Sequence, residues 1–374
     1  MAYAVQNILE VSLYINNIEF PLDTINTLNF LWLGMSARKA LLPTFHLSIS
    51  DVRHSLDNIG VPDGIPIRIV VKPQASSTII YNFRQFHHKK QFNGSFFSYE
   101  IDGYLDFPKY WMGTSNVGIQ GTSSSALASI ANTCGLQFNG ASTNDAQLWL
   151  PRNQTYAEFA CSIADRGYIT DSSYVELGVD FTGTLIYKDV NNLPTSQYTI
   201  TLGQLDPSSF TASDYEPVAR SGIVNKMTGY QNTKYGQSIS SQTASTSFAQ
   251  LAFTPDTTAP LYNTAMVGQI DRGYLSYGGL DVGNTHENYD KAKYQNLRYS
   301  NLYSLDVKFL MRMPTGLNLF DTFTFSVDSE ATKQDKAYAG TYIVSARSQF
   351  MTGANFAEMI LGTRTGTNGT YISG

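Results

Sequence analysis

The chain has 374 residues, a net charge of −5, and a composition of 42% hydrophobic, 13% aromatic and only 15% charged residues. This length permits two or three domains with sizeable cores, so the fold needs neither a disulfide nor a metal to hold it together. The acidic balance argues against tight nucleic-acid binding, because proteins that bind by releasing counterions concentrate Lys and Arg on one face.

The N-terminal sequence, MAYAVQNILE, lacks the basic and apolar regions of a secretory signal. No stretch of the chain reaches the roughly 18 apolar residues that a membrane span needs. We therefore expect a protein that is made and folds in a cytoplasm and has no direct membrane span.

Alternation of apolar and polar side chains dominates residues 1–108, and this period of two predicts strands with one buried face. PDG at 62–64 and NG at 93–94 are turn signals between such strands. The strands are expected at residues 9–15, 44–49, 65–71, 78–83 and 96–102. Their spacing predicts an antiparallel barrel or sandwich that ends near residue 108.

Residues 109–192 change to a helical period and are predicted to form a small α/β domain with two helices. The first helix has apolar residues at helical spacing from 127 to 134. We expect Ser123 or Ser124 to cap its start and Gly135 to end it.

The second helix has the stronger start signal. Thr155 and Glu158 match a capping box, in which each side chain binds the other residue's backbone N–H. Phe159 and Ile163 would lie on its buried face, and we expect Gly167 to supply a left-handed stop.

Cys134 and Cys161 each lie in one of these helical patterns, among small and apolar neighbours. Neither residue belongs to a metal-binding spacing. We expect buried, inert thiols, and we leave one disulfide between them open.

A second β domain is predicted from residues 193–235 and 297–374, because strand-like sequence returns there. Its longest alternating run covers residues 303–313, and the later strands are expected at 323–327, 341–346 and 356–361. Residues 236–296 lack a regular period and are predicted to be an irregular insertion. The predicted fold class is therefore mainly β, two antiparallel barrels with an α/β insertion between them.

The acidic side chains do not suggest a catalytic pair, although a glycosidase would need two opposed carboxylates. Glu158 is explained by its capping box. Glu100 and Asp102 alternate with apolar residues as strand surface, and a polar turn holds Asp328, Glu330 and Asp335. We therefore predict that the chain is not an enzyme.

We also predict no cofactor and no metal. The five histidines, at positions 46, 54, 87, 88 and 286, have no metal-ligand spacing. The segment GIQGTSSS at 118–125 lacks the Lys of a phosphate-binding loop. The basic cluster of Arg84, His87, His88, Lys89 and Lys90 is predicted to be a solvated hairpin tip.

Three segments carry a family resemblance. The central one, ALASIANTCGLQF followed by WLPRNQTYAEFACSIADRGYI, has two helices, the second beginning at N-x-T-x-x-E-F and ending in Gly-Tyr. SGIVNKMTGY at 221–230 is similar to the start of a second barrel, and AGTYIVSARSQFMTGANFAEMILGTRTG at 339–366 to a closing hairpin. With these segments the chain resembles the tail hub proteins of contractile-tailed phages and the hub portion of type VI secretion spike proteins.

The resemblance implies two tube-like β-barrels per subunit and a homotrimer that presents six barrels in a ring. Such a ring joins a hexameric tail tube to a trimeric spike and surrounds the DNA path. The implied partners are tail tube or tube-initiator proteins, a separate trimeric spike protein, the tape measure protein and the baseplate wedge. The implied location is the baseplate hub of the virion tail, assembled in the host cytoplasm.

Two alternatives stay open. Tyr110, Trp111 and Trp149 would stack on sugars in a receptor- or glycan-binding tail protein, or pack at subunit interfaces in a hub. A cell-wall hydrolase is the less favoured alternative.

Overall fold

The structure, a computed structural model, describes residues 9–23, 27–37, 41–73, 78–170, 173–196, 198–203, 211–219, 286–288, 292, 305–312, 314–328, 331–352 and 355–364. Most of these residues lie in strands, and thirteen of the strands form one sheet. Among the described residues, none of the helices combines the length and the hydropathy of a membrane-spanning segment.

The first β unit contains seven antiparallel strands in the spatial order β3-β4-β7-β6-β5-β1-β2. They are β1 (Leu9–Ile15), β2 (Ile18–Phe20), β3 (Thr27–Ser36), β4 (Thr44–Asp51), β5 (Pro66–Pro73), β6 (Ile79–Phe92) and β7 (Phe97–Leu105), with helix α1 (Ser55–Ile59) between β4 and β5. The strict alternation of buried residues along β4 shows why the sequence pattern predicted these strands.

The α/β unit follows and packs against the first β unit, so that both share one hydrophobic core. Its helices are α2 (Pro108–Met112), α3 (Ser123–Cys134) and α4 (Tyr156–Ala164). Its strands are β8 (Thr114–Ser115), β9 (Ile119–Gly121), β10 (Gln137–Gly140), β11 (Gln147–Trp149), β12 (Gln154–Thr155), β13 (Val175–Val179) and β14 (Thr184–Asp189), and a 3-10 turn covers Val190–Asn192.

The second β unit is a closed barrel with a separate core. Its elements are β15 (Tyr198–Leu202), β16 (Thr211–Ala219), β17 (Leu305–Met311), β18 (Thr322–Ser326), α5 (Lys333–Tyr338), β19 (Gly340–Thr352) and β20 (Asn355–Arg364). The strand order is β18-β15-β16-β17-β20-β19, and β19 pairs again with β18 to complete the ring. The predicted mainly β fold is confirmed.

Strand β19 joins the two β units. Its first half pairs with β18, and its second half, from Ala346 to Met351, pairs with β3. The two β units are thus two parts of one continuous sheet, which the sequence patterns did not indicate.

The helix ends in the α/β unit agree only in part with expectation. Gly135 ends α3 in the left-handed conformation, as predicted. The N-cap of α3 is Thr122, whose side chain accepts the Ser125 N–H, so the prediction of Ser123 or Ser124 was wrong. Ser123 is instead fully buried.

The capping box of Thr155 and Glu158 at the start of α4 is confirmed. The predicted role of Gly167 was wrong, because α4 ends at Ala164 and Gly167 does not adopt the left-handed conformation. A Cβ atom at Gly167 would overlap the hydroxyl oxygen of buried Tyr187. The close approach of that side chain therefore explains the glycine.

Cys134 and Cys161 are both free thiols. Burial raises the pKa of the Cys134 thiol to about 11. Of the insertion predicted at 236–296, residues 286–288 and 292 are described, and the segment SGIVNKMTGY lies outside the described residues.

Candidate functional site

A buried charged network lies where the two β units meet. Glu358 on β20 is fully buried, and one of its carboxylate oxygens accepts hydrogen bonds from Arg347 Nε at 2.8 Å and Gln349 Nε2 at 3.0 Å. The other oxygen accepts the Thr315 N–H at 3.0 Å and its hydroxyl at 2.5 Å. Each oxygen is thus paired, as a buried charge requires.

An irregularity in β19 places these polar residues inside. Tyr342 and Val344 face the barrel core, but a register shift follows between Val344 and Ala346. The shift reverses the alternation, so that Arg347 and Gln349 become the buried residues. One strand thereby contributes apolar side chains to the barrel and polar ones to the junction.

Tyr81 extends the network to the other two units. Its hydroxyl donates to Gln349 Oε1 at 3.0 Å, and its ring meets Phe181 of the α/β unit edge-on at 5.2 Å. Burial is the main reason that the Tyr81 pKa is raised. Asn318 Nδ2 also donates to Asp180 Oδ2 at 2.8 Å, between the second β unit and the α/β unit. The junction therefore fixes all three units together.

A row of side chains crosses the outer face of the sheet at this junction. Phe350, Trp32, His46, Asp102 and His87 are successive cross-strand neighbours on β19, β3, β4, β7 and β6. Asp102 bonds to His46 Nδ1 at 2.7 Å and to His87 Nδ1 at 3.3 Å. The row changes from aromatic to polar across the sheet.

An exposed apolar patch connects the first β unit to α2. Phe86 stacks on Tyr104 with ring centroids 5.9 Å apart, and the Tyr104 hydroxyl lies 3.9 Å from Met112 Sδ. Phe86, Met112 and the adjacent Trp111 are 54%, 62% and 42% exposed. We name Phe86, Tyr104, Trp111 and Met112 the α2 patch; the Tyr104 ring itself is buried, and neighbouring exposed apolar side chains such as the other three often mark contact surfaces.

The three aromatic residues proposed for stacking or interfaces do not act together. Tyr110 and Trp149 are fully buried, and the Trp149 Nε1 donates to the Gly121 carbonyl at 2.8 Å. Those two predictions were wrong, because both rings belong to the core of the α/β unit. Trp111 alone of the three is exposed.

The candidate carboxylates lie on separate elements with partners of their own. Glu158 caps α4, and Glu100 pairs with Lys89 at 3.7 Å. Asp335 caps α5, a helix that the sequence patterns missed, and Asp328 precedes that helix. Glu330 lies outside the described residues.

The basic cluster is part of strand β6, whereas the hairpin turn follows at residues 93–96. Its location was therefore predicted incorrectly. Arg84 pairs with Asp106 at 2.6 Å, and Lys90 pairs with Asp57. These partners offset much of the positive charge. Within the described ranges, no group of three or more His, Cys, Asp or Glu side chains is arranged to hold a metal.

The segment GIQGTSSS contains β9, the Thr122 cap and the start of α3. The Ser123 hydroxyl donates to Asp145 Oδ2 at 2.5 Å, and Asp145 also accepts the N–H groups of Ser123 and Tyr168 at 2.8 Å. The buried Asp145 carboxylate thus fills the position next to the helix start that a bound anion would need.

Comparison with known proteins identifies the architecture. The 43 kDa tail protein of prophage MuSo2 from Shewanella oneidensis has a TM-score of 0.59 at 12% identity, over 96% of this chain and 98% of that one. The tail protein from Neisseria meningitidis MC58 has a TM-score of 0.57 at 10% identity, over 95% and 96%. The chain has the fold of phage tail proteins.

A Francisella PdpA-VgrG complex is also similar, with a TM-score of 0.50 at 9% identity over 98% of this chain and 60% of that one. No family model matches the sequence, and a search of curated proteins gives no match. The structural matches confirm, for the fold, the resemblance that three short segments indicated.

Proposed function

We propose that the chain is a non-catalytic structural subunit of a tail baseplate hub. Three copies form a ring with approximate sixfold symmetry, which joins a hexameric tail tube to a trimeric spike and surrounds the DNA path. One observation carries this proposal: the first β unit and the closed barrel of the second β unit lie side by side in one sheet, in the fold of tail proteins.

The pair of β units provides a physical reason for the symmetry. Closed cyclic assembly of three chains repeats two β units three times, which gives six positions around one axis. A hexameric tube would meet these six positions, and a trimeric spike would meet the three chains. The mildly acidic net charge of −5 suits a conduit that does not retain DNA.

The buried network supports a rigid adaptor, since the Tyr81 hydroxyl of the first β unit donates to Gln349 Oε1, and Gln349 Nε2 donates to Glu358 within the second β unit. The α2 patch and the row from Phe350 to His87 offer contact surfaces to neighbouring subunits, tube proteins or the wedge. We keep the division at residues 108 and 192, with 236–296 as an insertion, and a location in the virion after assembly in the host cytoplasm.

The decisive experiment is native mass spectrometry of the chain with its candidate spike protein, followed by electron microscopy of the complex. We expect three copies of the chain in a ring on one trimeric spike. Trp111→Ser in the α2 patch should weaken assembly at least tenfold if that patch is a subunit contact. Ile80→Ser is the matched control, because Ile80 is 55% exposed but lies on β6 outside the patch. A chain that stays monomeric with every tube and spike candidate would contradict the proposal.

A receptor- or glycan-binding tail protein is the second candidate, and exposed Trp111 is the observation in its favour. Binding of the isolated chain to a glycan array, abolished by Trp111→Ser, would support this candidate over the hub. Zymography on cell wall, with Glu158→Gln as a control, tests the hydrolase alternative.

A further inference from the structure

Residues 286–288 of the connection between β16 and β17 are bound to the α/β unit. The His286 N–H donates to Gln147 Oε1 at 3.0 Å. Asn288 Nδ2 donates to the Asn144 carbonyl at 3.1 Å. His286 itself is only 5% exposed, and its ring lies 6.3 Å from that of buried Trp149. A short segment is thus held at one place on the α/β unit.

Both ring nitrogens of His286 form hydrogen bonds. Nε2 lies 2.8 Å from the Arg166 carbonyl oxygen, which can only accept a hydrogen bond, so Nε2 must carry a proton. Nδ1 accepts the N–H of Asn288 at 3.2 Å, so it must be without a proton. These partners require the neutral imidazole in one tautomer. A second proton on Nδ1 would face the Asn288 N–H and remove that hydrogen bond.

The receiving surface on the α/β unit is already ordered by other contacts. Asp145, next to Asn144, holds the start of α3 and the Tyr168 N–H, and Trp149 is fixed by its bond to Gly121. The Arg166 guanidinium lies 5.1 Å from the Trp149 ring centroid. His286 therefore binds to a surface whose position does not depend on the bound segment.

We propose that residues 286–288 are a pH-dependent latch, which is bound to the α/β unit while His286 is neutral and is released from it when His286 is protonated. The inference is independent of the proposed hub function, because it uses contacts within one chain.

The charged groups around the ring act in both directions. Asp145 and Glu287 favour the protonated ring, and Arg166 opposes it, while the Arg166 carbonyl favours a protonated nitrogen. Burial is the largest influence and lowers the pKa of His286 below its ordinary value. A histidine in an unfolded chain has a pKa of about 6.5. The latch therefore contributes its full stability above about pH 6.5. This stability is lost as the pH falls through the lower pKa that His286 has in the folded protein.

The test is hydrogen–deuterium exchange of the full chain between pH 8 and pH 5, with rates corrected for the intrinsic pH dependence. We expect the protection of peptides covering 286–288 to fall by up to about tenfold for each pH unit through the titration, because one proton is involved. His286→Gln should remove this pH dependence. Asn288→Ala should lower protection at every pH and keep the pH dependence. His88→Gln, a change of a histidine on β6, is the matched control and should leave the transition as in the wild type.

Nuclear magnetic resonance of the wild-type chain with labelled histidine provides a second readout that needs no variant. We expect the Nε2-protonated tautomer at pH 7.5 and a His286 pKa below 6.5. A proton on Nδ1 at pH 7.5, a pKa at or above 6.5, or unchanged protection of 286–288 between pH 8 and pH 5 would each overturn the latch. The same pH dependence in His286→Gln would overturn it as well.

Discussion

The second β unit closes six strands into a ring around its own core, whereas the seven strands of the first unit share a core with the α/β unit. In the ring, Phe309 lies between Phe323, Phe325 and Tyr342 at centroid distances of 4.9 to 5.3 Å. In the first unit, Tyr81 and Phe83 lie in a core that continues into α3 and α4. The core of the ring is therefore built mainly by its own strands, with only Tyr338 of α5 packed against it, whereas the core of the first unit includes two helices.

This difference predicts how far the effect of a packing defect in each core should extend. A defect in the second core should remain within the ring, because its apolar cluster is separate from the rest. A defect in the α/β unit should spread to the first β unit, because one cluster covers both; of the second β unit this cluster includes Leu319, Phe320, Met351 and Phe356 at the junction. The junction at β19 is the place where either defect would cross into the other half.

The largest effect is expected at that junction. Glu358→Gln leaves the buried Arg347 guanidinium without its carboxylate, and breaking a buried ion pair in this way costs about 3–5 kcal/mol. Urea unfolding followed by fluorescence would measure the loss. The wild-type network predicts a single transition for the chain, and the variant should separate the transitions of the two β units.

The matched control is Glu216→Gln, which removes an exposed ion pair with Lys308 on β17. Exposed pairs contribute less than about 1 kcal/mol, so the control should be close to wild type. Arg347→Met combined with Glu358→Leu should recover part of the stability lost in Glu358→Gln, since it leaves no unpaired charge, although Thr315 and Gln349 lose their buried acceptor. Equal stabilities for Glu358→Gln and Glu216→Gln would show that the network does not hold the junction.

A smaller effect is expected at Gly167 in the shared core. Gly167→Ala forces a Cβ atom onto the buried Tyr187 hydroxyl, and overpacking of this kind costs about 1–3 kcal/mol. Hydrogen exchange should show lower protection in α3, α4 and the first β unit, with β17 and β18 unchanged. Gly64→Ala is a control with no atom within 4 Å of the added Cβ, at a turn where only the positive φ is strained. Lower protection in β17 after Gly167→Ala would contradict the separation of the two cores.

Alternation along the chain predicted the strands well where one face meets a core and the other does not. Strand β17 is an example, since Leu305, Val307, Phe309 and Met311 are all buried, as the pattern indicated. Asp306 lies on the opposite face of the strand but is only 2% exposed, and its carboxylate accepts a hydrogen bond from the Thr363 hydroxyl at 2.6 Å on the neighbouring strand β20. Such a partner comes from a distant part of the sequence and cannot be read locally.

The junction network was missed for a similar reason. The run YIVSARSQF contains Arg347 and Gln349 at positions that an uninterrupted alternation places outside, and the register shift in β19 that turns them inward has no clear sequence signal. Helix α5 did have a signal, since Thr332 and Asp335 show the capping-box spacing that identified α4. His286 lies in a stretch without periodicity, where the sequence offers no pattern to interpret.

The smallest effect is expected from removing a helix cap, and it can be compared between one helix in each half of the molecule, α4 and α5. Thr155→Ala removes the cap of α4, and loss of such a cap costs about 1 kcal/mol. Thr332→Ala makes the same change at α5, where Asp335 keeps a second partner, because the Tyr215 hydroxyl donates to it at 2.6 Å. Both variants should shift the urea midpoint slightly.

Thr155→Ala should also lower exchange protection in the first β unit, because Phe159 and Ile163 of α4 belong to the shared core. Thr332→Ala should leave that unit unchanged, since α5 lies next to the separate core of the ring, which Tyr338 contacts.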